Sequence, residues 1–141
     1  MQTTSRPELA SHLRLTIART ARRLRQEGGT GLSPSMTSAL ATIECHGPLT
    51  PSELATRERI QRPTATRVIA RLEAMGLITR AADPQDRRSS LVAVTADATA
   101  LLAEHRTRKT AFLAERLDRL GVEDRAALER AADILERMLA E

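Results

Sequence analysis

Five polar side chains stand close together at spacings that a helix would present outward: Arg62, Thr64, Thr66, Arg67 and Arg71. Residues three, four and seven apart share a helix face, so Thr64, Arg67 and Arg71 fall on one side. Two more arginines, Arg87 and Arg88, follow in a polar stretch that begins Asp83-Pro84 and includes Asp86. A guanidinium carries its donors in a rigid fork that matches phosphate oxygens and the paired acceptors of guanine. Threonine adds a hydroxyl and a methyl group suited to base edges. This is the chemistry of recognising an anionic polymer.

Bond-making chemistry finds little support. Asp83 and Asp86 could be imagined as paired carboxylates, but Asp-Pro begins turns and no polar cluster converges on them. We expect no catalytic residue. His46 and His105 have no second pair at ligand spacing, so no metal and no cofactor is expected. Cys45 is the only cysteine and cannot form an internal disulfide. At the end of a helix it is expected to pack inward, with a redox-responsive role as the alternative reading.

Composition narrows the class further. The chain has 141 residues and a formal charge of +4, with Phe112 its only aromatic residue and Lys109 its only lysine. A core must therefore come from small aliphatic side chains. Residues 1–30 carry net +4 and residues 50–95 net +3, whereas residues 96–141 carry net −2. No apolar run approaches the roughly 18 residues that span a bilayer, and no signal-peptide core follows Met1. A cytoplasmic, nucleoid-associated protein without membrane partners is expected.

The elements that would position these residues can be read from periodicity and caps. Leu9, Leu13, Ile17, Ala21 and Leu24 predict a helix over 8–27, stopped by glycines. Ser33-Pro34 opens a second helix, to His46, with serine as cap and proline in the first turn. Thr50-Pro51-Ser52-Glu53 predicts a capping box and a short third helix to Glu58. After a turn at Arg59-Ile60-Gln61, a fourth helix runs from Arg62 to Met75, with Gly76 beyond its end. Its inward face is expected to be Ala65, Val68, Ile69, Leu72 and Met75. Leu77–Arg80 and Leu91–Val94 read as a hairpin with a charged tip. Thr95 caps a long helix over 96–119, and a last helix spans 123–140.

A short helix, a tight turn, an arginine-bearing helix and a hairpin are the elements of a winged helix-turn-helix. The second helix can enter a major groove about 12 Å wide, and an arginine at the hairpin tip suits a narrow minor groove. The expected fold is mostly α with a small β-hairpin wing (α+β): six helices, with a DNA-binding lobe at 33–95 between dimerisation segments at 1–32 and 96–141.

The segments "GPLTPSELA", "RPTATRVIARLEAMGLITR" and "DPQDRRSSLVAVT" resemble the MarR family of bacterial transcriptional regulators, in order and length over nearly the whole chain. The resemblance implies a homodimer, a pseudo-palindromic double-stranded DNA operator and, often, a repressor relieved by a small-molecule ligand. It places Arg62, Thr64, Thr66, Arg67 and Arg71 on the recognition helix. Arg88 becomes the minor-groove arginine of the wing, with Arg87 beside it and Asp86 bracing it. A ligand would lodge between the lobe and the dimer helices, with Leu13, Ile17 and Leu102 as candidate lining. The chain departs from the family pattern at Glu58-Arg59, where an apolar residue and glycine are usual. It departs again at Ala98, where glycine is usual, and at Arg62, a poor cap that makes Gln61 the expected N-cap. Because Arg59 stands where such a turn needs positive φ, an altered turn is expected. The competing function is a winged-helix protein–protein interaction module without an operator.

Overall fold

The computed structural model describes residues 3–140. Six helices and one hairpin follow in the order α1 (Arg6–Gly28), α2 (Pro34–His46), α3 (Pro51–Glu58), α4 (Arg62–Ala74), β1 (Ile78–Ala82), β2 (Ser90–Val94), α5 (Ala96–Leu117) and α6 (Val122–Leu139). The helix starts are set by short polar side chains that accept from otherwise unpaired amides. Ser33 Oγ accepts from the Met36 amide at 3.2 Å, Thr50 Oγ1 from Glu53 at 3.1 Å and Thr95 Oγ1 from Ala98 at 3.3 Å. The box expected at Thr50 is half formed, since among the described residues the Glu53 carboxylate does not return a bond. A complete box stands instead at Ser5 and Glu8, and it lengthens α1 beyond the expected start. Its hydroxyl and amide donors hold the Glu8 carboxyl below the usual carboxylate range.

One aliphatic core gathers all the middle elements. Leu40 and Ile43 of α2, Leu54 of α3, Ile69 and Leu72 of α4, Val92 of β2 and Leu102 of α5 are its largest fully buried side chains. Each contributes about 1.5–3 kcal/mol by leaving water. β1 and β2 pair antiparallel from Ile78↔Val94 to Ala82↔Ser90. Leu49, between α2 and α3, bridges to Val92 with reciprocal backbone bonds of 3.0 and 2.7 Å. That contact ties the wing to the helix-turn-helix, and short-range periodicity could not reveal it.

The two helix-turn-helix ends share one closure. After α4, the Leu77 amide bonds to Leu72 O and the Gly76 amide to Glu73 O, both at 3.0 Å, with Gly76 at φ 74°. After α3, the Ile60 amide bonds to Ala55 O at 3.0 Å and the Arg59 amide to Thr56 O at 3.3 Å. This is the paired closure that calls for a left-handed residue. Arg59 supplies it at φ 55° and ψ 45°, so the turn is the ordinary one and the altered turn expected from Arg59 is corrected. The two satisfied carbonyls outweigh a left-handed cost of about 1–2 kcal/mol. Arg59→Gly should therefore hold or gain stability, by up to about 1 kcal/mol, because relieved strain exceeds the entropy glycine adds to the unfolded chain. Urea melts would check this; a loss of more than about 1 kcal/mol would show that the arginine side chain itself stabilises the turn.

Glu58, where an apolar residue is usual, is also accounted for. Its carboxylate accepts from Ser38 Oγ at 2.8 Å and from Thr42 Oγ1, clamping α3 to α2. Ala98 is completely buried, so the core has room for its methyl group. Gln61 is the N-cap of α4, though its side chain makes no cap bond. α5 ends at Leu117 rather than 119, because the Arg119 and Leu120 amides tighten onto Arg116 O and Leu117 O.

Candidate nucleic-acid interface

Val68, Ile69, Leu72 and Ala65 turn α4 inward, and everything else on that helix is left to water. Arg62, Thr66, Arg67 and Arg71 are exposed, and Thr64 is half-buried at the margin of the face. Arg67 Nη2 donates to Thr64 Oγ1 at 3.3 Å, and Thr66 Oγ1 donates to Arg62 O at 3.0 Å. Thr64, Arg67 and Arg71 border a groove of ≈ 270 Å3 whose other side is Ser33, Ser35 and Met36 of the α2 start. Pro63 and Ala70 are exposed as well. They flank Arg67 and offer apolar contact of the kind that thymine methyls accept. Reasoning confined to polar residues passed over them, although Ala70 lies three residues from Arg67.

Met75 does not face inward as its spacing suggested. The helix ends at Ala74, and Met75 caps it with 53% of its surface exposed.

The wing tip is organised by its aspartates. Asp83 Oδ1 accepts from the Gln85 amide at 2.9 Å and Asp86 Oδ1 from the Arg88 amide at 3.0 Å, while Asp86 O accepts from Ser89 at 3.0 Å. Asp86 thus braces Arg88 through its backbone, leaving the exposed guanidinium outside the ion pairs of the described residues. Behind the tip, Arg80 of β1 pairs with Glu73 of α4 at 2.9 Å. An exposed pair contributes under about 1 kcal/mol, but it fixes wing against helix. Thr95 Oγ1 donates to Gly76 O at 2.8 Å and closes the same corner. The helix face and the wing tip are therefore two cationic projections on one rigid frame.

A similarity search finds the same arrangement elsewhere. The MarR family model matches residues 32–90, which span α2 to the start of β2. An HTH-type transcriptional regulator of Mycobacterium tuberculosis is 41% identical over 128 residues, 90% of each chain. The chain belongs to the MarR family. It is a DNA-binding transcriptional regulator with a winged helix-turn-helix fold. A transcriptional regulator of Pseudomonas aeruginosa superposes with a TM-score of 0.87 at 30% identity, covering 99% of both chains. A MepR variant of S. aureus, bound to an oligodeoxyribonucleotide, shares the fold with a TM-score of 0.71 at 19% identity over 94% of this chain and 96% of that one.

The ligand-lining residues expected within this MarR-family chain are not brought together. Leu102 is 1% exposed inside the core and Ile17 is 48% exposed, while Leu13 is half-buried on α1; none borders a cavity found in the structure. Leu102 turned inward because α5 must close the lobe before it leaves it. Cys45 is exposed, against the inward packing expected. The inner face of α2 is Met36, Ala39, Leu40 and Ile43, and a residue two past Ile43 points the other way. Among the described residues no group of three or more His, Cys, Asp or Glu is placed to hold a metal, and no helix is long and apolar enough to cross a membrane.

Proposed function

We propose that the chain is a homodimeric repressor that reads a pseudo-palindromic operator and is released by a small molecule. The observation that carries the dimer is α6. Its 18 residues bury none of their number within the chain, yet Leu128, Ile134, Met138 and Leu139 repeat along it with 47–87% of their surfaces exposed. Leu9, Leu15 and Ile17 of α1 and Leu113 and Leu117 of α5 add further uncovered aliphatic surface. Such faces need a partner, and a two-fold contact between identical helices satisfies both copies at once.

In that dimer two α4 helices would lie about 34–36 Å apart, one turn of DNA. Arg62, Arg67 and Arg71 would meet phosphates and bases, Thr64 and Thr66 base edges, and Arg88 the minor groove, with Arg87 at a flanking phosphate. The oligodeoxyribonucleotide held by the MepR variant supports duplex DNA as the partner of this fold. A ligand acts by binding one spacing of the lobes better than the other.

Ile134→Asp with Met138→Asp should convert the dimer to monomers without unfolding the lobe, which does not use α6 for its core. Sedimentation equilibrium at micromolar protein distinguishes the outcomes. A variant that stays dimeric would place the interface elsewhere. An operator bound equally well by the monomeric variant would remove the two-lobe reading.

A further inference from the structure

A cavity of ≈ 520 Å3 lies between the end of α1, the Gly29–Leu32 loop and α5, a size suited to a small molecule. Arg22 and Arg25 border it from α1, and neither belongs to an ion pair among the described residues. His105 of α5 borders it too. The imidazole is 5% exposed and neither nitrogen has a hydrogen-bond partner. A buried donor or acceptor without a partner is a cost that a bound group can remove. Gly28 holds the ring in place: a Cβ there would lie 2.2 Å from Nδ1, so α1 can seat on the histidine only as glycine.

The charges around the ring have one sign. Lys109, Arg106 and Arg108 lie near it on α5, and Arg22 and Arg25 border the cavity from α1. The carboxylates at hand are already engaged, Glu44 of α2 by Arg106 and Glu104 by Arg108. Leu32 and Pro34 add apolar wall.

We propose that this cavity takes a small organic carboxylate, its oxygens held by Arg22 and Arg25 and hydrogen-bonded by His105, its apolar body against Leu32 and Pro34. This rests on the ligand-released repressor reading above and names the chemistry of the ligand. The cavity joins two parts of the chain. Arg22, Arg25 and His105 belong to helices that run out of the lobe, whereas Pro34 and Thr37 open α2 within it. A carboxylate drawn between them biases how the lobe sits on those helices.

Binding is also tied to a proton. His105 titrates below its ordinary 6.5, first because it is buried and then because Lys109 is near; the Gly28 carbonyl opposes the shift without reaching hydrogen-bond geometry. The unliganded site therefore keeps the ring neutral. A carboxylate beside it favours the imidazolium, so binding takes up a proton and weakens as pH rises through the bound-state value.

Calorimetric titration of the full chain with benzoate tests this, with benzamide as the uncharged isostere, at about pH 6 and about pH 8. Benzoate should saturate a single site per chain, bind more tightly at the lower pH and take up protons, seen in buffers of different ionisation heat. Benzamide should bind about tenfold more weakly or worse, and Arg22→Ala with Arg25→Ala should lower benzoate affinity by about tenfold or more. His105→Gln, which keeps a hydrogen-bonding side chain in place, should bind benzoate without proton uptake. Circular dichroism and operator binding of each variant report whether it folds. No saturable binding of benzoate, equal binding of benzamide, or folded variants that match the parent would overturn the site. Benzoate bound as described while the operator stays bound would leave the site standing and remove the release reading.

Discussion

An Arg88→Ala variant should lose about 1–3 kcal/mol of operator binding while remaining a folded dimer. The argument is geometric. Residues 83–89 are held by bonds among themselves, from the Asp83 and Asp86 side chains to the Gln85 and Arg88 amides and from the Asp83 amide to Ser89 O at 3.3 Å. None of these uses the Arg88 guanidinium, so its removal leaves the tip intact. What is lost is one cation placed for a narrow groove, where its attraction to DNA is strongest. Asp86→Ala should also weaken binding, with a different signature: the guanidinium remains, but its anchor at 3.0 Å is gone. Arg87→Ala should act as loss of one phosphate contact, weakening all sequences alike and reducing the salt slope by about 1. Operator titrations of the three variants distinguish these roles; an unchanged Arg88→Ala would reassign the wing.

Leu72→Ala is expected to cost about 2–5 kcal/mol of stability, a large share of the 5–15 kcal/mol typical of a domain. Leu72 is completely buried, and its carbonyl receives the Leu77 amide that closes α4. The side chain lies where α4 meets the core, opposite the DNA face, so the cavity left behind loosens the recognition helix at its root. Met75→Ala, three residues on in the same sequence pattern, should change stability by no more than about 0.5 kcal/mol because Met75 is half exposed. Chemical denaturation of both variants checks the contrast. Similar losses would mean that α4 continues to Met75 and packs it.

That contrast marks how far the sequence could be read. The Leu72-to-Gly76 segment announced a helix end correctly, since Gly76 is the left-handed residue the closure needs. Spacing alone could not say that the helix stops one residue before Met75. Caps at Ser33, Thr50 and Thr95 were legible because they are local chemistry. The Leu49–Val92 bridge and the Glu58 clamp on Ser38 and Thr42 were not, because each joins residues far apart in the chain. Arg59 shows the converse error: a side chain unfavourable for positive φ was weighed against the turn, but the two backbone bonds of the closure win. The outward arginines of α4 followed from periodicity, whereas the cavity residues Arg22, Arg25 and His105 did not. A helix stripe identifies which residues turn inward, not which of them stop short of filling the space. Leu13, Ile17 and Leu102 were plausible as apolar lining, yet the core claimed Leu102 and left Ile17 on the surface.

The central claim, a dimer that reads DNA with α4 and the wing, is tested most directly by selecting genomic fragments on the purified protein. The winning fragment is then titrated at several salt concentrations. The expected result is a pseudo-palindrome with half-sites about one helical turn apart, bound by one dimer, with affinity falling steeply as salt rises. Weak binding with no shared sequence would contradict it, and would turn the arginine face of α4 toward a protein partner instead.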